Sequence, residues 1–583
     1  MLGSTVMVLA LRRTRLSCLP GSRPAPTPAV ILALLASLSA CSGGSQKVGA
    51  QPSWRYGADV GGPPGGGRSE HILFQPSLPA VERYNDADTV PPPSSALGDA
   101  IVAAVNEAAL AAGQAPLVAD GRLFAAADEL AAVVDEDAPL AYPMVEFAMQ
   151  SRGIVEPSPH LIVIWGPLDQ PEVLVEQLRD RLPQLLADGG VVPFNRVGVG
   201  ASRRGVHGEW TAILALQASN VELAPIPRHV ARGASVRIEG RILGNFRDPE
   251  VFVTAPDGTV ARLPAVLAGT TGFRAALACG DRSGRWQVEI TGVDVTGSTV
   301  LANFPVWCDL APPTSVSIEV GDDERAPPAT PAEAEARMLA LLNRDRAAGG
   351  LVPVALDPRV VDVARAHSQD MKNSGVVAHV STTTGSASDR VRAAGIRTGV
   401  VLENVARAYG VGEAEEGLMN SPGHRANILS PHPTHVGIGI VFGDEVAGRR
   451  EMFVTQVFTR VPPRIEGSAV VRDLRTRLEA AAALRWDDAL GTMAGAFAVE
   501  IARGGSAESV SKSGAASAND KLASRFQKLT TIVTTVADLA AFSADAALAD
   551  KSAHVYGVGV AQGDHDVLGE QAIYIVLILA EDR

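Results

Sequence analysis

Residues 436–440 read VGIGI, and residues 453–458 read FVTQVF. The first run alternates aliphatic side chains with glycine, and the second is rich in β-branched and aromatic residues, so both are typical of β-strands. Glycine at every second position leaves one face of the first strand bare, which lets another element approach the sheet closely. We therefore predict a β-hairpin whose first strand lies directly beneath a helix or a ligand.

The same hairpin pattern occurs twice more in the chain. VGVG at 197–200 is followed by WTAILAL at 210–216, and YGVGV at 556–560 is followed by IYIVLI at 573–578. Repetition of one pattern at intervals indicates repeated structural units. We infer three related α/β units, each ending in a β-hairpin.

The beginnings of the units support this inference. Five residues of the middle unit have identical counterparts, in register, in the first unit, and the third unit keeps part of the pattern around Asp487. The five matched pairs are Asn343 with Asn106, Gly350 with Gly113, Pro353 with Pro116, Asp357 with Asp120, and Arg359 with Arg122. In both units the pattern predicts an amphipathic helix, a short connection and a second helix.

A different pattern fills residues 221–312. Short runs such as SVRIE at 235–239 and WQVEI at 286–290 alternate apolar and polar residues, and turn signals separate them. This predicts an inserted antiparallel β-sandwich. Because the first 41 residues resemble an export signal, and exported proteins form disulfides, we predict a disulfide between Cys279 and Cys308. Two buried free thiols are the alternative.

The middle unit carries further motifs that its siblings lack. In chain order they are AHSQDM at 366–371, AH at 378–379, LENVA at 402–406 and SPGHR at 421–425. With LLNRDRAAGGLVPVALDP before them and VGIGI after them, they resemble a secreted CAP-superfamily domain (cysteine-rich secretory, antigen 5, pathogenesis-related 1) of the bacterial cysteine-free type. The resemblance covers residues 333–462 of the 583.

The resemblance implies an α-β-α sandwich with a cleft lined by histidine and glutamate. Carried over position by position, the cleft residues are His379, Glu403 and His424, and Asn404 and Ser421 complete the expected ligand-binding cleft. Neither sibling has the three central residues. The flanking units are therefore expected to be degenerate copies that keep the scaffold without the cleft.

This sequence departs from the family pattern at several positions. The second glutamate of the family has no clear counterpart, and Glu415 and Glu416 are the candidates. Leu402 replaces the glycine that usually precedes Glu-Asn, and residues 418–419 replace a tryptophan. At the offset of His379, the first unit has Tyr142.

Physical chemistry allows three uses of the cluster. Two imidazoles and a carboxylate can bind zinc with an open position for water, although their wide sequence separations form no compact metal motif. A carboxylate can also hold a histidine as a general base, but no serine or cysteine stands in an elbow such as GxSxG. Third, the groups can form a binding or structural cluster, since buried polar groups need partners. We favour the third use, because the family that the unit resembles has no single established enzymatic activity.

Other polar residues receive simpler interpretations. His367 has the spacing of a packed helix-face residue, and Arg425 that of a helix-end cap or ion pair. His432 and His435, in a proline-bracketed loop, and the acidic residues 444–445, in the hairpin loop, are expected to be solvated.

The first 41 residues resemble a bacterial export signal. Arginines precede an apolar run at 29–38 whose length suits a signal peptide and is too short to span a bilayer. The run ends in LSAC, which resembles a lipobox, so we predict that Cys41 is lipidated; an ordinary signal peptide with a nearby cysteine is the alternative. Ser42 is not aspartate, which by resemblance to lipoprotein sorting favours the outer membrane if the host is Gram-negative.

Composition sets the remaining limits. The chain has 46% hydrophobic residues and a formal charge of −13, without a long basic run after residue 41, so nucleic-acid binding is not expected. The predicted fold class is α+β, with one intact and two degenerate CAP-like units and an inserted β-sandwich. The predicted segments are a signal (1–41), a Gly/Pro-rich tether (42–97), a degenerate unit (98–220), the β-sandwich (221–312), a linker (313–332), the CAP unit (333–462) and a degenerate unit (463–583).

Two functions are consistent with this sequence. The favoured one is an envelope protein, anchored by a lipid, that binds a small apolar, glycan or protein ligand. The alternative is an envelope hydrolase, metal-dependent or working by general-base catalysis, that acts through His379, Glu403 and His424, with zinc as its metal.

Overall fold

The computed structural model places three α/β units and one β-sandwich in contact with one another. The residues that it describes are 6–11, 30–34, 54–56, 70–86, 95–134, 140–157, 159–166, 171–187, 193–204, 209–320, 327–446, 449–506, 510, 522, 525–544, 548 and 553–582. The predicted lipidation site at Cys41 lies outside these ranges.

The first unit has a central sheet covered by helices. Its strand order is β2-β1-β7-β9-β8-β6. The elements of this part of the chain are β1 (Val6–Leu11), β2 (Val30–Leu34), β3 (Trp54–Tyr56), β4 (Glu70–Phe74), β5 (Arg83–Tyr84), α1 (Ala96–Ala111), β6 (Val118–Ala119), α2 (Gly121–Ala131), α3 (Tyr142–Ser151), β7 (His160–Gly166), α4 (Pro171–Arg179), α5 (Leu182–Ala187), β8 (Arg196–Arg204) and β9 (Glu209–Gln217). Because β1 and β2 belong to the predicted signal, cleavage before Cys41 would leave a four-stranded sheet.

The inserted domain is a sandwich of two antiparallel sheets, as the alternating runs predict. One sheet has the order β10-β13-β17-β16 and the other β12-β19-β18-β14-β15, where only β12 pairs in parallel. The elements are β10 (Val221–Leu223), β11 (Ile226–Pro227), β12 (His229–Val230), β13 (Ser235–Ile242), β14 (Arg247–Thr254), β15 (Val260–Arg262), β16 (Val266–Ala268), β17 (Gly272–Ala278), β18 (Gly284–Asp294) and β19 (Gly297–Cys308), followed by β20 (Val316–Val320). Cys279 and Cys308 form the predicted disulfide, with Cα atoms 5.9 Å apart.

The middle and third units repeat the arrangement of the first. The middle unit consists of α6 (Pro331–Ala348), β21 (Ala355–Leu356), α7 (Pro358–Ser374), α8 (Ala387–Ala393), β22 (Val401–Ala408), α9 (Val411–Asn420), α10 (Pro422–Ile428), β23 (His435–Val446) and β24 (Arg449–Thr459). The third consists of α11 (Gly467–Ala481), β25 (Arg485–Trp486), α12 (Asp488–Ala502), β26 (Phe526–Val536), a 3₁₀ turn (Leu539–Ala541), β27 (Val555–His565) and β28 (Gly569–Asp582).

All three units share one sheet topology. The orders are β6-β8-β9-β7, β21-β23-β24-β22 and β25-β27-β28-β26, each with one parallel pair at the short edge strand and antiparallel pairs elsewhere. The fold class is therefore α+β with three CAP-like units and a β-sandwich, as predicted. Among the described residues, no helix has both the length and the apolarity to cross a membrane.

The residues shared between repeats have identifiable structural roles. Asn343 accepts a hydrogen bond from the Val354 N–H at 2.8 Å, and Asn106 accepts one from the Leu117 N–H at the same distance, so each asparagine ties a helix to the connection after it. The shared aspartate caps the second helix in all three units, accepting from backbone N–H groups of the first turn.

The alternating glycines act as the sequence predicts, with a helix as the closely packed element. A Cβ atom on Gly437 or Gly439 would overlap backbone atoms of α7. Equivalent glycines of β8 lie against α2, and those of β27 lie against α12. No side chain larger than hydrogen fits at these positions, which explains why the Gly-x-Gly pattern occurs in all three repeats.

The predicted tether and linker need correction. Strand β20, inside the predicted linker, pairs with β4 and β3, inside the predicted tether. Phe74, Val316 and Ile318 are buried in the core of the first unit. Each of these strands is short, is flanked by Gly- or Pro-rich sequence and pairs with a strand far away along the chain.

Candidate functional site

Three separate elements bring the predicted cleft residues together. His379 follows α7, Glu403 lies on β22, and His424 lies in α10. His379 Nδ1 is 3.7 Å from a Glu403 carboxylate oxygen, and the centroids of the two imidazole rings are 6.2 Å apart. The side chain of His379 is 20% exposed, whereas Glu403 and His424 are buried. The cluster therefore has one partly open and two buried members.

Glu403 forms an ion pair with an arginine that lies outside the sequence motifs. Arg390, in α8, donates hydrogen bonds from one guanidinium nitrogen to both carboxylate oxygens of Glu403, one of them at 2.7 Å. It also donates to the carbonyl oxygens of Gly385 and His379, at 2.5 and 3.3 Å. Both partners of the ion pair are buried. The carboxylate of Glu403 is therefore held in place by an ion pair with Arg390.

His424 is in an unusual state for a buried polar residue. It is 2% exposed, and neither of its ring nitrogens has a hydrogen-bond partner among the described residues. Burial, with a smaller effect from nearby His379, holds the pKa of His424 well below its usual value, so the ring is neutral. A neutral imidazole has one donor and one acceptor, and both are available here.

His367 borders the cluster from the helix α7. It is buried, its Nε2 lies 2.9 Å from the Ala378 carbonyl oxygen, and that nitrogen is 3.8 Å from Glu403. Burial lowers the pKa of His367. Its position agrees with the prediction of a packed helix-face residue.

A hydrogen-bonded chain of amides lies behind the cleft. Asn404 donates to Gln456 at 3.0 Å and to the His424 carbonyl at 3.3 Å, and it accepts from Asn427 at 2.9 Å. Gln456 in turn donates to Glu415 at 2.8 Å. Burial raises the pKa of Glu415 to about 8, so this carboxyl group is protonated at neutral pH. Of the two candidates for the second glutamate, Glu415 is thus part of a buried network connected to the cleft.

The β-sandwich also contributes to the site, which sequence reasoning missed. Glu289, on β18, accepts a hydrogen bond from the Ser421 hydroxyl at 2.6 Å and from the Gly423 N–H at 3.0 Å. Ser421 is the predicted cleft residue that begins α10. No local motif predicts this contact, because Glu289 is an ordinary polar position in an alternating strand.

The substituted positions and the minor candidates have structural roles. Leu402 and Met419 pack against the core of the middle unit, and Tyr142 of the first unit packs into the same core. Arg425 donates to the carbonyl oxygens of Gly258 and Met419, and its charge interacts with the carboxyl group of Asp345. His432 is exposed, as predicted.

The arrangement does not fit a zinc site. Within the described ranges, no group of three or more His, Cys, Asp or Glu side chains is placed to hold a metal ion. Both oxygens of Glu403 already accept hydrogen bonds from Arg390, so the carboxylate of the expected ligand set is engaged elsewhere. What the site offers chemically is hydrogen bonding by the neutral imidazole of His424 beside a paired carboxylate.

The middle unit combines an α-β-α sandwich with this cleft, as the resemblance to the CAP superfamily implies. Residues 339–458 match the family described as CAP, cysteine-rich secretory protein family, which is the family that the motifs of the middle unit resemble.

Two proteins of Bacillus subtilis (strain 168) are similar to part of the chain. The uncharacterized protein YkwD is 40% identical over 108 residues, which are 18% of this chain and 42% of YkwD. The uncharacterized membrane protein YlbC is 37% identical over 107 residues, which are 18% of this chain and 31% of YlbC. The chain therefore spans less than half the length of either relative.

Solved structures also resemble parts of the chain. An extracellular protein containing a SCP domain from Bacillus anthracis is 19% identical with a TM-score of 0.21, covering 42% of this chain and 87% of its own. An outer surface protein of Borrelia burgdorferi is 14% identical with a TM-score of 0.21, covering 23% of this chain and 96% of its own.

Proposed function

We propose that the protein is an exported envelope protein, anchored through a lipid on Cys41, whose middle unit binds a ligand in the cleft around His379, Glu403 and His424. The observation that carries the proposal is the buried, neutral imidazole of His424, whose donor and acceptor have no partner among the described residues. Buried polar groups are nearly always hydrogen-bonded, so a ligand that bonds this ring would complete the site.

The chemistry of the cleft favours a glycan among the three ligand classes. Sugar hydroxyl groups both donate and accept, which matches a neutral imidazole. A purely apolar ligand would leave the His424 nitrogens unsatisfied, at a cost of about 1–3 kcal/mol for each buried polar group. Asn404 and Ser421 help to fix the walls of the cleft.

The hydrolase alternative has less support in the geometry. Both oxygens of Glu403 accept hydrogen bonds from Arg390, so the carboxylate that a general-base mechanism would use to orient His379 is already paired. The lowered pKa of His424 makes it a weaker base. No observation specifically favours catalysis. The hydrolase remains the second candidate only because His379, Glu403 and His424 are residue types that general-base and metal-dependent hydrolases use.

The anchoring part of the proposal rests on the sequence. The apolar run at 29–38 and the LSAC that ends it support lipidation of Cys41, and Ser42 favours the outer membrane if the host is Gram-negative. One relative is named a membrane protein and one similar structure an extracellular protein. Labelling of the host with a radioactive fatty acid tests the anchor: the label should enter the protein and be absent from Cys41→Ala.

Calorimetric titration of the full mature chain tests ligand binding. The probe is a series of N-acetylglucosamine oligomers, and the variants are His424→Ala and, as a matched control, exposed His432→Ala. We expect saturable binding that is unchanged in His432→Ala and at least about ten-fold weaker in His424→Ala, since one buried hydrogen-bonding group contributes about 1–3 kcal/mol. No saturable binding, or equal binding by both variants, would refute the glycan assignment.

A further inference from the structure

The outer face of the β-sandwich is covered along β18 and β19. Nearly every residue of these two strands is buried, although successive side chains point to opposite faces of the sheet. Val288 and Ile290 lie in the core of the sandwich. The opposite face of β18 carries Gln287 and Glu289, which are 1% and 0% exposed. Polar side chains on an outer face are normally solvated, so their burial means that other parts of the chain lie against this face.

One of the covering parts is the start of α10 in the middle unit. The two hydrogen bonds from Ser421 and Gly423 end on the two different carboxylate oxygens of Glu289. Both donors belong to the SPGHR motif, immediately before His424. The carboxyl group of Glu289 is fully buried, and a hydrogen bond is electrostatically stronger in a buried environment than in water.

A second contact involves the loop that carries His379. Gly297, at the tip of the hairpin between β18 and β19, has φ +103°, and a Cβ added to it would lie 3.1 Å from the His379 Cβ. The Val380 N–H donates to the Thr296 carbonyl at 2.9 Å. The hairpin tip thus rests on the loop that holds His379.

A third contact is made from the middle of α10. Arg425 is buried and donates to the carbonyl oxygen of Gly258, in the turn between β14 and β15. Three separate segments of the sandwich therefore contact the loop that carries His379 and the helix that carries His424. Each of these three contacts is a hydrogen bond or a close backbone approach, and none of them is packing between apolar side chains.

We infer that the β-sandwich is a docked cover of the histidine cleft, latched by Glu289, and that the sandwich must move away for large ligands to reach His424. This inference rests on the proposed function in that the cleft is the site being covered. Polar interfaces between domains of one chain separate more readily than hydrophobic ones, so a cover of this kind can open while each domain stays folded. In the docked state only small groups would reach His424, past the partly exposed His379.

Chemical modification of histidine tests the cover without any ligand. The full mature chain is treated with diethyl pyrocarbonate, and the rate at each histidine is read by peptide mass spectrometry. Exposed His432 is the internal reference. Glu289→Ala removes the latch, and Glu239→Ala is the matched control, because Glu239 is a glutamate on β13, in the other sheet of the sandwich, whose side chain is 35% exposed and pairs with Arg274.

A reversible lock separates undocking from unfolding. Residues 296 and 380 are joined by a backbone hydrogen bond, and such neighbours have Cα atoms about 5–6 Å apart, within the range that a disulfide spans. Thr296→Cys with Val380→Cys, placed in the Glu289→Ala background and oxidised, would hold the sandwich on the cleft.

We expect Glu289→Ala to raise the modification rate of His424 about ten-fold relative to His432, with Glu239→Ala unchanged and the oxidised lock restoring the slow rate. Equal rates in Glu289→Ala and the unsubstituted protein would overturn the inference. A fast rate that persists in the oxidised lock would overturn it too, because His424 would then be exposed by local unfolding. Since the experiment uses no glycan, failure of glycan binding would leave this result intact.

Discussion

The buried ion pair between Arg390 and Glu403 gives the sharpest prediction for the site. In Arg390→Ala, Glu403 stays buried without its cation. Two unit charges 2.7 Å apart interact by about 6 kcal/mol at an effective dielectric constant of about 20, and desolvation of both groups offsets part of this. Removal of one partner from such a pair costs about 3–5 kcal/mol. We expect the middle unit to lose stability by that amount.

The assay must report on the middle unit alone, because a chain of several domains does not unfold in one step. Hydrogen exchange of the β22 amides, measured by mass spectrometry in the full chain, meets this need. Arg392→Ala is the matched control, since Arg392 lies on the same helix but is exposed, as is its partner Asp389. We expect its effect to be below about 1 kcal/mol.

A second variant tests the electrostatic reason for the loss. Arg390→Met combined with Glu403→Gln removes both charges together, and we expect this double variant to be more stable than Arg390→Ala by about 2 kcal/mol or more. The reasoning would be refuted if Arg390→Ala exchanged no faster than Arg392→Ala. It would also fail if the double variant were as unstable as the sum of its single changes.

Three further predictions concern the scaffold. Gly439→Ala should destabilise the middle unit by about 1–3 kcal/mol or more, because its Cβ would overlap the backbone of α7. Gly495→Ala, which has open space around it, should stabilise α12 by about 0.5–1 kcal/mol. Amide hydrogen exchange in the sheets of the two units measures both effects, and stability changes of the same sign would contradict the packing argument. Glu415 has its pKa raised to about 8 when folded, so its contribution to stability is complete below its unfolded pKa and is lost as pH rises towards 8. The free energy of unfolding of Glu415→Gln, measured by chemical denaturation, should therefore rise relative to that of the unsubstituted protein between pH 5 and 8. A difference that does not change with pH would count against burial as the cause. Removal of the Cys279–Cys308 disulfide, which spans 29 residues, should cost the β-sandwich about 3–4 kcal/mol, and unchanged exchange in its strands after Cys279→Ser with Cys308→Ser would contradict this.

Sequence reasoning succeeded where the cause is local. The hairpins with Gly-x-Gly follow from strand periodicity, and the shared Asp357 and Asn343 are a helix cap and a helix-to-loop tie that need only neighbouring residues. His379 and His424 were found because the motifs of a known family mark their positions. The disulfide was predicted because only two cysteines remain after the signal.

The rest depends on contacts between distant residues. Arg390 is one of several arginines near α8, and only the fold shows which one reaches Glu403. Glu289 lies 134 residues before Gly423 in another domain, so no motif connects them. The strands within the predicted tether and linker pair with each other across more than 200 residues of sequence, and their Gly- and Pro-rich flanks are typical of linkers.

Native mass spectrometry of the protein purified from its own cell envelope tests the central claim, that the cleft of the middle unit binds a ligand through His424. We predict that the unsubstituted protein and His432→Ala carry the same additional mass, released on denaturation and identified as a glycan, and that His424→Ala carries none. Retention of that mass by His424→Ala, or one equivalent of zinc that His424→Ala loses, would contradict the account.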